Sequence, residues 1–282
     1  LGALLDSEYG AYECSFDVGD WSMDTPHTGV MGYDINYAKI PTAALTMEDA
    51  MMLGRIYERG QKITLKLQME AKTVGDRWSR NIISEIRGHK YPDEIVVVGA
   101  HIDSWDVGQG AHDDGGGCIA SWEVLRLLNA LGLKPKRTIR CVLWTNEENG
   151  LKGSSAYRDM HMDELDEHVV AIESDAGVFA PQGFGFSGNK DARGIIEDIH
   201  ELLIPIKANQ ITDWGRAPDV AILNDEGIPV MSLNVDLSKY FWYHHSAADT
   251  FDKVDFHDFN KCIAAMAIMA FVIADLDQPL PR

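Results

Sequence analysis

Glu94-Ile-Val-Val-Val-Gly-Ala-His101 decides the fold. The branched apolar residues at positions 95–98 do not alternate with polar ones, so neither face of the strand they form is meant for water. A strand covered on both faces belongs to a sheet sandwiched between helices. The run ends in His101, a metal-ligand type of residue, at the carboxyl end of the strand, where open α/β sheets bind their ligands.

The same texture recurs downstream. The spacing predicts a helix over about 114–131, a strand over 138–145, a helix near 153–160, a strand over 169–173, a helix over 193–203, a strand over 230–235 and a C-terminal helix. Strands alternating with helices imply the α/β class, a doubly wound mixed sheet flanked by helices. Upstream, residues 81–87 and 94–99 flank a turn containing Gly and Pro and read as a hairpin. Earlier still, Thr46-Met-Glu-Asp49 resembles a capping box, with Ala50, Leu53 and Ile56 at helical spacing until Gly60. Ile63, Leu65, Leu67 and Met69 then alternate with polar residues as a half-buried strand should. Residues 1–76 read as an accessory segment and residues 77–282 as the main domain.

Composition narrows the partners. The chain has 282 residues and a formal charge of −19, from 44 acidic against 25 basic side chains. Such a surface repels phosphate backbones and anionic lipid, so neither nucleic acid nor a membrane is the expected partner. The longest apolar candidate, residues 262–274, is shorter than a bilayer span and reads as a buried helix. Cys14, Cys118, Cys141 and Cys262 lack metal-type spacing, and three of them adjoin or sit in apolar runs. Buried free thiols are expected.

The chemistry gathers at strand ends. The strand at 94–100 delivers His101, that at 138–145 delivers Glu147-Glu148, and that at 169–173 delivers Asp175. The strand at 230–235 leads to a loop carrying His244 and His245. Each has a bland alternative. His101 could be a core histidine, Asp113 and Asp114 could cap a helix before Gly115-Gly-Gly117, and Glu147-Glu148 could be a solvated turn. As a set, two histidines and three carboxylates converging on one crevice suit two Zn²⁺ ions sharing a carboxylate. Adjacent carboxylates diverge, so one of Glu147 and Glu148 can bind metal while the other takes a proton. Asp103, two residues beyond His101, is a natural acceptor for its second ring nitrogen.

Gly99-Ala-His-Ile-Asp-Ser-Trp-Asp106, Gly110-Ala-His-Asp-Asp-Gly-Gly-Gly117, Trp144-Thr-Asn-Glu-Glu148, Glu173-Ser-Asp175 and His244-His-Ser246 together resemble the zinc-dependent M28 peptidase family. The resemblance implies two Zn²⁺ per subunit, with His101 and Asp175 on separate ions, Asp113 bridging, and Glu148 and His245 completing the two sites. It makes Glu147 the general base for a hydroxide shared by the metals, with Asp103 orienting His101. It implies an exopeptidase acting on small peptides, dipeptides with free termini foremost, in the secretory pathway or lysosome, and it is compatible with a homodimer. Against the family pattern, residues 1–76 resemble the tail of a protease-associated-type insert, and the opening strands of the catalytic sheet are expected upstream of Leu1. Two other readings share the scaffold: a non-catalytic binding module, whose mark would be eroded ligands, and a glutaminyl cyclase-type transferase.

Overall fold

A computed structural model describes residues 24–29, 36–38, 41–72 and 74–282; Cys14 lies outside them. In chain order the elements are α1 (Met47–Glu58), β1 (Ile82–Ile86), β2 (Tyr91–His101), α2 (Gly116–Ala130), β3 (Arg137–Trp144), α3 (Lys152–Met160), β4 (His168–Glu173), β5 (Pro181–Ser187), α4 (Lys190–His200), β6 (Gln210–Thr212), α5 (Pro218–Asn224), β7 (Val230–Val235), α6 (Tyr240–Tyr243) and α7 (Phe256–Asp275). The seven strands form one mixed sheet in the order β1-β3-β2-β4-β7-β5-β6. The central strands β3, β2, β4 and β7 run parallel; β1 is antiparallel to β3, β5 is antiparallel to β7, and β6 pairs parallel with β5.

The continuous apolar run behaves as its pattern requires. Val96 and Val98 face a core built with α2, α4 and α7, while Ile95 and Val97 face a second core with α3 and α5. All four side chains are buried. Burial of each is worth about 1.5–3 kcal/mol, so polar residues on either side of this strand would be costly. Cys118, Cys141 and Cys262 are buried free thiols, as expected.

Three expectations need correction, and three elements were not expected. Residues 81–87 and 94–99 are not a hairpin, because β3 lies between β1 and β2. The doubly buried β2 takes parallel neighbours on both sides, and β1 pairs with β3 in a register that sets Glu85 opposite Arg140, whose Nε donates to the Glu85 carboxylate at 2.6 Å. Residues 61–72 form no strand, and Leu65, Leu67 and Met69 are exposed; the alternating pattern has no sheet to lie on. The N-cap expected at Thr46 does form, with Asp49 N–H donating to Thr46 Oγ1 at 3.1 Å at the start of α1. The C-terminal helix is longer than its apolar core: at 20 residues α7 is long and apolar enough to cross a membrane by length and composition. Here Cys262, Met266, Met269 and Ile273 are packed in the core against the sheet and α2. Finally, β5, β6 and α5 carry no clear periodic signal. In β5, Gly183 and Gly185 remove the alternation a strand usually shows, because a Cβ there would sit 1.9 Å from Gln210 O and 1.7 Å from Trp214 O.

Candidate metal centre

Every predicted ligand reaches the carboxyl edge of the parallel strands. His101 closes β2 and is 1% exposed. Its Nε2 lies 3.1 Å from Asp113 Oδ1 and 3.3 Å from Asp175 Oδ1, and Asp175 follows β4. Asp113 Oδ2 lies 3.3 Å from His245 Nε2, which is 3.0 Å from Glu148 Oε2. Two three-residue groups result, His101/Asp113/Asp175 and Asp113/Glu148/His245, each with its ligand atoms within 4.8 Å of one another. Asp113 belongs to both. The expectation that His101 and Asp175 stand on separate ions is corrected here: the ends of β2 and β4 are neighbours, and His101 Nε2 and Asp175 Oδ1 lie 3.3 Å apart in one group.

Local structure explains this placement. The helix expected from about 114 starts at Gly116, because residues 111–115 form a kinked turn in which Asp113 and Asp114 have non-helical backbone. Asp249 braces that turn, its two carboxylate oxygens accepting from His112 N–H (2.8 Å) and Asp113 N–H (3.0 Å). The adjacent aspartates then diverge. Asp114 accepts from Gly117 N–H at 3.1 Å and His101 N–H at 3.3 Å, a structural task, while Asp113 faces the histidines. The glycine run is there for space: a Cβ on Gly117 would lie 2.1 Å from Ser174 O and 2.3 Å from Asp114 Oδ1. After β3, left-handed backbone at Asn146 (φ 61°) turns the chain so that Glu147 and Glu148 follow at the strand end.

Asp103 holds His101 differently from expectation. Its main-chain carbonyl, not its carboxylate, accepts from His101 Nδ1 at 2.8 Å; the carboxylate accepts the Glu147 N–H at 3.0 Å. One loop residue thus positions both a ligand and its neighbouring carboxylate. The aromatic run at 240–243 serves packing more than a pocket wall: Tyr240 is buried, and Tyr243 stacks on His112, which also stacks on Phe179 at 4.1 Å.

The electrostatics are those of a cluster built to share positive charge. Burial works against protonating His101, but hydrogen bonds with Asp113 and Asp175 outweigh it and raise its pKa far above the ordinary imidazole value. Asp113 Oδ2 and Glu148 Oε1 are buried without a hydrogen-bond partner among the described residues. Buried carboxylate oxygens are normally satisfied, so these are in place to face a cation. The donor set of imidazole nitrogens and carboxylate oxygens fits zinc. Burial, helped by the Asp175 charge, pushes Glu147 up to about 8, in the range of a group that takes and returns a proton near neutrality.

Three residues near the cluster escaped the sequence reading: Asp249, Trp105 and His27. Trp105 lines the crevice beside Glu148 and His245, with its buried indole N–H unpaired among the described residues. His27 joins His244 and His245 in a third group of closely spaced imidazoles. Trp105 lies inside the Gly99–Asp106 stretch but its residue type does not mark it as a site residue, and nothing in the spacing marks His27, which lies outside the strand-end pattern.

Fold and site together define an α/β sandwich with overlapping carboxylate–histidine groups of metal-ligand type at the carboxyl edge of its sheet. The chain belongs to peptidase family M28, whose model matches residues 81–270. It is 45% identical over 282 residues to carboxypeptidase Q of Mus musculus and 46% identical to that of Bos taurus, covering 100% of this chain and 60% of each relative. The chain therefore spans 60% of the length of these curated relatives. Among solved structures, a peptidase M28 precursor from Shewanella amazonensis superposes with a TM-score of 0.88 at 35% identity, over 92% of this chain and 60% of that one. A zinc aminopeptidase from Bacillus subtilis shares the fold, with a TM-score of 0.55 at 21% identity over 71% of this chain and 53% of that one.

Proposed function

We propose that this chain carries the catalytic unit of a two-zinc exopeptidase that cleaves small peptides, foremost dipeptides with free termini. The observation that carries the reading is the pair of three-residue ligand groups sharing Asp113, with Glu147 directly beside Glu148. His101, Asp113 and Asp175 would hold one ion, and Asp113, Glu148 and His245 the other. When bound, zinc polarises a substrate carbonyl and lowers the pKa of a coordinated water towards ~7.

The protein's own residues do the rest. Glu147, desolvated and held at its backbone by Asp103, accepts a proton from the attacking water and returns it to the leaving amine. Asp103 fixes the orientation of His101 through its carbonyl. The name carboxypeptidase, borne by the mouse and bovine relatives, supports cleavage next to a free carboxyl terminus. We assign residues 77–282 as this catalytic unit and 1–76 as a protease-associated-type accessory segment, and place the protein in the secretory pathway or lysosome on the family resemblance. Apoprotein titrated with Zn²⁺ and assayed on free dipeptides and on N-terminal glutaminyl peptides tests the reading. Dipeptide hydrolysis that rises with the second ion supports it; cyclisation without hydrolysis, or full activity with one ion, refutes it.

A further inference from the structure

The two ligating histidines have matching outer partners from very different places. His101 Nδ1 gives its proton to the carbonyl of Asp103, two residues away. His245 Nδ1 gives its proton to the carbonyl of Thr28, 217 positions away, at 3.0 Å. A carbonyl cannot donate, so this contact places a proton on Nδ1 and makes Nε2, which faces Glu148 Oε2 and Asp113 Oδ2, the nitrogen free to take a metal. An imidazole binds metal through its unprotonated nitrogen, and the partner of the other nitrogen selects that tautomer.

More than one contact holds the loop. Thr28 N–H donates to the His245 carbonyl at 2.7 Å. His27 Nε2 lies 3.1 Å from His244 Nδ1, and the His27 ring stacks over His245 at 5.4 Å with 26° between planes. His245 itself has left-handed backbone, φ 55°. That conformation disfavours any residue with a Cβ by about 1–2 kcal/mol, so it persists only where neighbours hold it. The Thr28 N–H binds the carbonyl of the strained residue itself.

We propose that His27 and Thr28 form a strap that completes the metal centre: the Thr28 carbonyl selects the ligating tautomer of His245, and His27 holds the two-histidine loop in place. Both are positioning residues. The proposal rests on the two-metal reading above, and one titration separates the two. Apoprotein of the full chain is titrated with Co²⁺, following ligand-field absorption and ion stoichiometry, for the parent and for Thr28→Pro, Thr28→Val and His27→Ala. Thr28→Pro removes the N–H, Thr28→Val keeps both main-chain bonds, and His27→Ala removes the stack without touching the backbone. We expect the parent to take two ions. Thr28→Pro keeps the carbonyl but removes the N–H that ties Thr28 to the His245 carbonyl, so the Thr28 carbonyl is no longer held against His245 Nδ1. It should bind the first ion as the parent does and the second about 10-fold or more weakly, with the spectral change confined to that ion, the scale of a disturbed outer-shell contact. Thr28→Val should match the parent, and His27→Ala should weaken the second ion severalfold. If Thr28→Pro and His27→Ala both bind two ions within twofold of the parent, the strap is overturned. If Thr28→Pro fails to fold, as its thermal melt would show, unchanged second-ion affinity in His27→Ala is enough to overturn it. A parent that binds fewer than two ions refutes the two-metal reading instead.

Discussion

Replacing Gly117 by Ala should disable the site from within its scaffold, because one methyl group must be placed where two walls of the metal centre meet. Its Cβ would lie 2.1 Å from Ser174 O and 2.3 Å from Asp114 Oδ1. Ordinary carbon–oxygen contacts are well over 3 Å, so α2 must retreat from β4 by about 1 Å, or Ser174 and Asp114 must move by as much. Neither wall is free to give. Ser174 N–H is tied to Gly99 O at 3.1 Å, and Asp114 accepts from both His101 and Gly117. The two displaced residues adjoin Asp175 and Asp113, so both ligand groups shift together. Overpacking of this kind costs about 1–3 kcal/mol, and backbone contacts on two sides place it near the upper end. For a domain of this size that corresponds to a melting-temperature drop of roughly 6–12 °C. A misplacement near 1 Å at a reacting centre costs about 10²-fold in rate. The assay is dipeptide kcat/KM with saturating Zn²⁺, paired with a thermal melt and metal content. Gly116→Ala is the internal comparison: its nearest neighbours are the Val178 methyls at 2.7 and 2.8 Å, which can shift, so it should lose less of both. Gly117→Ala with parental stability and parental kcat/KM would refute the claim that this glycine sets the spacing between the two walls.

Further outcomes follow from other sites. Glu147→Gln should lower kcat by about 10²–10⁴ with two zinc ions retained; metal analysis checks it, and an equal loss of zinc would show that Glu147 is a ligand instead. His168 is buried against Tyr157, and burial lowers its pKa to about 4. The folded state therefore holds it neutral, and its contribution is present above the unfolded value near 6.5 and lost as pH falls through about 4. The window spans about 2.5 units, worth up to roughly 3 kcal/mol. Urea melts at pH 7 and pH 4.5 should show a steeper acid loss for the parent than for His168→Gln, and identical slopes would sink the assignment. Gly54→Ala, mid-helix in α1 with nothing within 4 Å of the new Cβ, should stabilise that helix by about 1 kcal/mol and slow its amide exchange about fivefold.

The cluster of candidate ligands was legible in the sequence because each of its members is encoded locally. A buried apolar run ending in His101, and others ending in Glu147-Glu148 and Ser174-Asp175, announce where a parallel strand stops, and parallel topology brings those ends together without any further signal. The choice of Asp113 over Asp114 lay in a kinked turn that residue spacing alone does not show. Strand pairing was less legible: a turn between residues 87 and 94 favours a hairpin locally, yet the doubly buried β2 and the Glu85–Arg140 contact place β3 between them. The strap was not legible at all. Thr28 acts through its main-chain N–H and carbonyl, which every residue but proline carries, so no side-chain pattern marks it. The boundary at residue 76 is therefore one of sequence texture. On its carboxyl side lie all the ligands, and on its amino side lies the carbonyl that decides which nitrogen His245 offers to a metal. A deletion that follows the texture and removes residues 1–76 takes away the partner of His245 Nδ1, so it should weaken the second metal even if the sheet folds unchanged.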